Sequence, residues 1–149
     1  MAGCTPAAGP SHRSPNAPIT SVALFDAAEF AGNWNVVADY DAETCGVDVD
    51  YHGNGAFDWV EKACGGSVDN SPARITGPGR FTPKGGAHKG VQHWVLWVDQ
   101  SYRTAVIASP QGDFAFILNR DREIPADRLR AAREILDWNG FDLAALRLR

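Results

Sequence analysis

Phe30-Ala31-Gly32-Asn33-Trp34-Asn35-Val36-Val37-Ala38-Asp39-Tyr40 is the stretch on which the fold turns. From Trp34 onward it alternates: Trp34, Val36, Ala38 and Tyr40 fall on one side, and Asn35, Val37, Asp39 and Asp41 on the other. Period two with one largely polar side marks a half-buried strand, because successive side chains leave a pleated backbone in opposite directions. Just upstream, Val22-Ala23-Leu24-Phe25 and Ala28-Glu29-Phe30 supply apolar residues ahead of that strand.

Downstream, His52-Gly53-Asn54-Gly55 contains Asn-Gly, the strongest short hairpin signal, because both loop positions of a type I′ turn need positive φ. With Asn54 and Gly55 as the loop residues, Cys45 lies opposite Cys64. Val47, Val49 and Tyr51 share one face of the first arm, and Phe57, Trp59 and Val60 dominate the second. These faces do not match fully in that register, so a bulge or a longer loop shifts it by a residue. The two cysteines stay close either way. Residues 73–82 read as an irregular, Gly-broken strand, and residues 84–90 are Gly-rich and polar. Trp94–Val98, Arg103–Ala108 and Phe114–Leu118 are short apolar runs separated by turn residues, among them Ser109-Pro110-Gln111-Gly112. Regular short strands of this kind predict an antiparallel sandwich or barrel. From Pro125 to Asn139 the period becomes helical, with a stripe of Leu129, Ala132, Ile135 and Leu136 and a stop at Asn139-Gly140. Phe141, Leu143, Leu146 and Leu148 offer a last packing segment.

Composition narrows the function classes. The 149 residues are 44% apolar and 21% charged, enough for one domain with a real core. Five Trp, seven Phe and three Tyr supply aromatic surface for a core and for a lined cavity. A net charge of −4 argues against nucleic acid and against anionic membrane surfaces, both of which need clustered Lys and Arg. No apolar run approaches the roughly 20 residues of a spanning helix. Catalytic patterns are weak. There is no Gly-x-Ser-x-Gly elbow, and His12, His52, His88 and His93 are scattered. Asp48, Asp50, Asp58 and Glu61 gather carboxylates on one hairpin, which reads as a solvated face. Gly77-Pro78-Gly79 leads into a strand, whereas a phosphate loop needs a following helix. No His stands at ligand spacing from either hairpin cysteine, which disfavours a metal site. The expectation is a non-enzyme without cofactor or metal.

Three separated features belong together: Gly32-x-Trp34, then Asp99-x-x-Tyr102-Arg103, then a lone Arg120 after the final strand. This combination resembles the signature of the lipocalins, and more narrowly the bacterial lipocalins anchored to the outer membrane as lipoproteins. The likeness covers residues 20–149. It implies an all-β fold with one helix: an antiparallel, up-and-down lipocalin-like barrel with the C-terminal helix packed outside. Trp34 would plug one end and Arg120 would pack over its ring. One departure stands out, because between Cys64 and Trp94 the family places two strands and only the first is convincing here. The fifth strand is either very short or missing.

The same resemblance supplies compartment and cargo. Met1-Ala2-Gly3-Cys4 looks like the end of a lipobox, with Cys4 the lipidated residue; the upstream parts of a signal peptide are absent from the sequence as given. Pro6, Pro10, Pro15 and Pro18 suit a disordered tether, giving residues 1–19 as lipidation site and tether and 20–149 as the barrel domain. An exported, oxidising compartment favours a Cys45–Cys64 disulfide. The expected role is to bind, store or transport a small hydrophobic ligand, of fatty acid or lysophospholipid type, while facing the periplasm. Candidate lumen residues are Val36, Tyr40, Val49, Tyr51, Trp59, Phe81, Trp94, Leu96, Phe114 and Phe116. Lys62, Arg74, Arg80 and Lys84 are candidates to meet an anionic head group. Two rival expectations remain. One is a structural or protein-interaction lipoprotein without an open cavity, such as a homodimer paired through a sheet edge near residues 83–91. The other is a lipocalin-fold isomerase, for which His93 is the residue to check.

Overall fold

The computed structural model describes residues 11–149; Cys4 and its proposed lipidation lie outside them. Eight antiparallel strands follow one another around a closed ring: β1 (Gly32–Asp39), β2 (Thr44–Gly53), β3 (Ala56–Ala63), β4 (Val68–Gly77), β5 (Arg80–Phe81), β6 (His93–Val98), β7 (Thr104–Ala108) and β8 (Ala115–Asn119). β8 pairs back onto β1, with Asn35 opposite Asn119, and this pairing removes the free edges. The short fifth strand is real. Gly77-Pro78-Gly79 turns the chain, Gly79 at φ 65, and only Ile75↔Phe81 and Gly77↔Arg80 pair across it. Beyond Phe81 the Lys84 N–H donates to the Pro72 carbonyl, so residues 82–84 continue along β4 and no edge is left open there.

Local irregularities decide which side chains face inward, among them one in β1 and one in the β2–β3 hairpin. In β1 the pairing with β8 slips between Val36 and Ala38, a bulge that reverses the strict alternation read from the sequence. Trp34 and Val36 therefore point into the barrel, and Val37 and Ala38 both join the outer layer. In the β2–β3 hairpin the register shifts between Tyr51 and Gly53, which sets Tyr51 opposite Phe57, Val49 opposite Trp59 and Val47 opposite Glu61. The one-residue slip brings the apolar faces of the two arms together. The expected neighbours Cys45 and Cys64 close a disulfide, Cα to Cα 4.9 Å. The bridge spans 19 residues and ties the start of β2 to the end of β3. Replacing both cysteines by serine is expected to lower unfolding stability by about 3 kcal/mol, read from urea midpoints under oxidising conditions.

The loops fall into two groups. Residues 40–43, 64–67, 82–92 and 109–114 surround one end of the barrel, called the rim below. The turns 53–55 and 99–103, with the short helix α1 (Ala27–Phe30), close the other. α2 (Ala126–Trp138) lays Ala132 and Leu136 on the outer face of the wall, where they pack with Val37, Val106, Ala108, Ala115 and Ile117. It stops as expected at Asn139-Gly140, Gly140 taking φ 84. A last short strand, β9 (Arg147–Leu148), adds to Ala38–Asp39. There Arg149 donates to Asp39 at 2.8 Å and to the Thr44 carbonyl at 3.0 Å. Among the described residues no helix is long and apolar enough to cross a bilayer.

Residues 11–19, read from the sequence as part of a disordered tether, are docked. Arg13 is buried; its guanidinium donates to the carbonyls of Asn139 (2.8 Å), Pro110 (3.1 Å) and Ala17. His12 N–H donates to Gly112 at 2.9 Å and its ring stacks on Tyr40 at 4.0 Å. The composition is that of a tether, but one buried arginine with three carbonyl partners outweighs it.

Candidate functional site

The closed end is built as the resemblance implies. Trp34 is buried and its indole N–H donates to the Phe30 carbonyl at 2.9 Å. The Arg120 guanidinium lies 3.7 Å above the indole ring and donates to the carbonyls of Tyr102, Asn33 and Glu29 at 2.9–3.1 Å. Gly32 is required beside it: at φ 106 it adopts a conformation that costs other residues strain, and a Cβ would sit 3.0 Å from Arg120 Nη1. Asp99 fixes the β6–β7 turn by accepting from the N–H groups of Arg103 (2.6 Å) and Thr104 (2.8 Å). Tyr102 reaches back to accept from Asp26 N–H at 2.9 Å.

The lumen above this plug is lined by inward residues from all eight strands, and they touch. Trp59 lies 5.0 Å from Phe81 and 5.5 Å from His93; Phe114 lies 4.4 Å from His93 and 5.1 Å from Phe116. Trp59, His93, Phe116, Val47 and Ile107 are each 0% exposed, so the gaps beside them are smaller than a water molecule. Of the ten candidate lumen residues, Val36, Val49, Trp59, Phe81, Phe114 and Phe116 belong to this inner cluster, and Tyr51 packs against it half-buried. Tyr40, Trp94 and Leu96 do not: they lie in the outer layer. The β1 bulge moves Tyr40, whose hydroxyl donates to the Asp142 carbonyl at 2.7 Å; burial, then the Asp142 carboxylate, push its pKa up. In β6 every residue from Trp94 to Val98 is apolar, so hydrophobicity alone cannot choose the inner face. The structure places His93 and Val95 inside and Trp94 outside, under the Arg80 guanidinium at 3.8 Å.

Three of the four head-group candidates point away from the lumen. Lys62 pairs with Asp48 at 2.6 Å on the outer surface, Arg74 donates to the Asn54 carbonyl, and Arg80 covers Trp94 and donates to Ser21. Lys84 is exposed on the loop 82–92. Of the hairpin carboxylates, Asp50 and Asp58 meet His52 on the outside, His52 to Asp58 at 3.2 Å.

Two polar residues not expected as lumen groups, Glu61 and His88, stand at the rim, and His93, the residue to check for isomerase chemistry, lies below them. Glu61 is 5% exposed, faces inward beside Trp59, and accepts from Trp59 Nε1 (3.0 Å) and from the backbone N–H of Ala87 (2.8 Å). That second bond holds the Gly-rich loop 82–92 over the mouth. His88, from the same loop, stacks on Phe114 at 4.3 Å and brings Nε2 to 3.7 Å from Asp41. His93 sits deeper, its Nδ1 2.9 Å from the Val91 carbonyl, and burial pushes its pKa down to about 3. The signal for Glu61 was available: in a register that matches Val49 with Trp59, the residue two along from Trp59 must also point inward. At the rim a cleft of about 170 Å³ is lined by Glu43, Thr44, Glu61, Ala63, Ser67, Asp69 and Ala87. It is smaller than the few hundred Å³ of a typical ligand site.

A family model described as a lipocalin-like domain matches residues 60–149. Solved structures with this fold include lobster apocrustacyanin A1, 15% identical, TM-score 0.64, with 81% of this chain and 77% of that chain covered. They also include H1 crustacyanin from the lobster Homarus americanus, 15% identical, TM-score 0.63, with 79% and 75% covered. A third is the siderocalin Ex-FABP, which functions through dual ligand specificities, 13% identical, TM-score 0.65, with 80% and 93% covered. At these identities the likeness is one of fold. No curated protein matches the chain.

Proposed function

Because the chain belongs to the lipocalin-like domain family, we propose that it binds a small apolar molecule inside the barrel, entering through the rim beneath the loop 82–92. The observation that carries this reading is the lumen: a closed wall whose inner surface is aromatic and aliphatic from Trp34 to Phe114. Its mouth is covered by a segment rich in glycine (Gly85, Gly86, Gly90) and held by a side-chain acceptor, Glu61. Binding needs the loop to lift and the aromatic side chains to part, since they fill the space between them. A fatty-acyl chain of a dozen methylenes yields roughly 10 kcal/mol of transfer free energy before the costs of association and rearrangement. Micromolar affinity for a fatty acid or lysophospholipid is consistent with that balance.

Sequence features support a cellular setting. Ala2-Gly3-Cys4 fits a lipidation site, and the Cys45–Cys64 bridge suits an oxidising compartment. The proposed location is the bacterial outer membrane, anchored through Cys4 and facing the periplasm. The proposed role is binding, storage or transport without catalysis. Among the described residues His93 has no carboxylate or hydroxyl partner with which to relay a proton: its ring neighbours are Trp59, Phe81 and Phe114.

The tight filling of the lumen favours a second reading, a structural or protein-interaction lipoprotein whose barrel is simply a core. Two measurements separate them. Lysophospholipid or fatty acid added at tens of micromolar is expected to raise the melting temperature by several degrees. Protein purified from bacterial membranes is expected to carry a lipid mass in native mass spectrometry. Absence of both the shift and the adduct would leave only the second reading standing.

A further inference from the structure

His93 is a buried polar side chain of the deep lumen, and its hydrogen bonding is half complete. Nδ1 lies 2.9 Å from the Val91 carbonyl, which can only accept, so this nitrogen carries the ring proton. Nε2 is then a bare lone pair. It is buried and has no hydrogen-bond partner among the described residues. A buried acceptor left unpaired is costly and rare in folded proteins, and nothing in the barrel's own architecture uses this one. Burial keeps the imidazole neutral down to a pKa of about 3, so at physiological pH it offers an acceptor and no charge.

The surroundings sharpen the chemistry. The ring is boxed by Phe114 at 4.4 Å, Phe81 at 5.2 Å and Trp59 at 5.5 Å, with no cation among these neighbours. The rim carries acidic groups: a cleft there is lined by Glu43, Glu61 and Asp69, and the loop's Lys84 and Lys89 are exposed to solvent. A carboxylate passing this rim and ending beside His93 would meet repulsion first and an acceptor second. A neutral hydroxyl or amide N–H would meet no such barrier and would complete the imidazole. Above His93, the His88 ring lies on the face of Phe114 at 4.3 Å with its own Nε2 lacking a hydrogen-bond partner among the described residues, Asp41 being too far at 3.7 Å. His88 therefore lies over the route to His93 without being bonded in place.

Resting on the carrier reading above, we infer that the barrel selects an apolar ligand whose polar end is a neutral hydrogen-bond donor, accepted by His93 Nε2, over one that ends in a carboxylate. Three ligands of matched chain length test it by calorimetry: 1-decanol, methyl decanoate, which accepts but cannot donate, and decanoate. The alcohol is expected to bind about five- to tenfold more tightly than the ester, the range of one net neutral hydrogen bond, with decanoate the weakest. In His93→Phe, which keeps an aromatic ring and loses the acceptor, the preference for alcohol over ester should vanish with the ester affinity unchanged. Should that variant fail to fold, nitrogen NMR of histidine-labelled wild-type protein gives the same answer: decanol should move the Nε2 resonance of His93 and methyl decanoate should not. Equal binding of alcohol and ester by the wild type overturns the inference, as does a preference that survives in His93→Phe or an Nε2 resonance that ignores bound decanol. In each of those cases the ligands still bind and the carrier reading stands. If none of the three binds, the carrier reading itself fails and takes this inference with it.

Discussion

Acid is expected to unfold this protein well above the pH at which its carboxylates alone would matter, and His93→Phe is expected to remove much of that sensitivity. The folded barrel holds the His93 pKa at about 3, against 6.5 for the ordinary side chain, chiefly by burial and to a lesser degree through His88. Between those values the unfolded chain binds a proton that the folded chain refuses. Stability contributed by the neutral imidazole is complete above pH 6.5 and is lost progressively as pH falls toward 3, with a slope of up to ~1.4 kcal/mol per pH unit. Over that window the loss reaches several kcal/mol, a large part of the 5–15 kcal/mol that holds a typical domain together. Urea midpoints at pH 7, 6, 5 and 4 measure it. The wild-type curve should fall steeply and the His93→Phe curve should fall less, the gap widening at each step. Parallel curves would mean that His93 is not the group that titrates.

The second large effect concerns the plug. Trp34→Ala removes a buried indole that packs on Phe30 at 5.3 Å and under Arg120, and is expected to cost about 3–5 kcal/mol. Arg120→Met keeps a flexible apolar stem over the ring but leaves the carbonyls of Tyr102, Asn33 and Glu29 without their donor. About 2–3 kcal/mol is expected, more than the ~0.5–2 kcal/mol of the cation–π contact alone. Because the two residues share one contact, their effects should not add: the double variant should be less destabilised than the sum by about 1 kcal/mol. Equilibrium unfolding of the three variants supplies the cycle, and strict additivity would show that indole and guanidinium act independently.

The disulfide, the C-terminal helix and the residues of the plug were legible because each carries a local mark, whereas the fifth strand was expected only as very short or missing. Gly32 and Trp34, the Asn54-Gly55 turn, Asn139-Gly140 and Gly77-Pro78-Gly79 are all read from a few adjacent residues. The lumen was harder to read. Period-two alternation survives only until a bulge, and the slip after Val36 carried Tyr40 from the inner to the outer face. In β6 the outer side is covered by α2 and, over Trp94, by the Arg80 guanidinium, so Trp94 and Leu96 are as apolar as the inward Val95 and no polar side marks the solvent. His88 and Glu61 escaped for a different reason. One lies in a loop and the other reads as part of an acidic strand face, and only the closed three-dimensional mouth brings them together.

The strap formed by Arg13 bears on how such a molecule would meet a bilayer. Arg13 is fastened to Pro110, beside the opening and away from the indole plug. Seven residue steps separate Cys4 from Ser11, and a polypeptide cannot span more than about 3.6 Å per step. An acyl group on Cys4 would thus moor the protein on a leash of at most about 25 Å, attached next to its doorway.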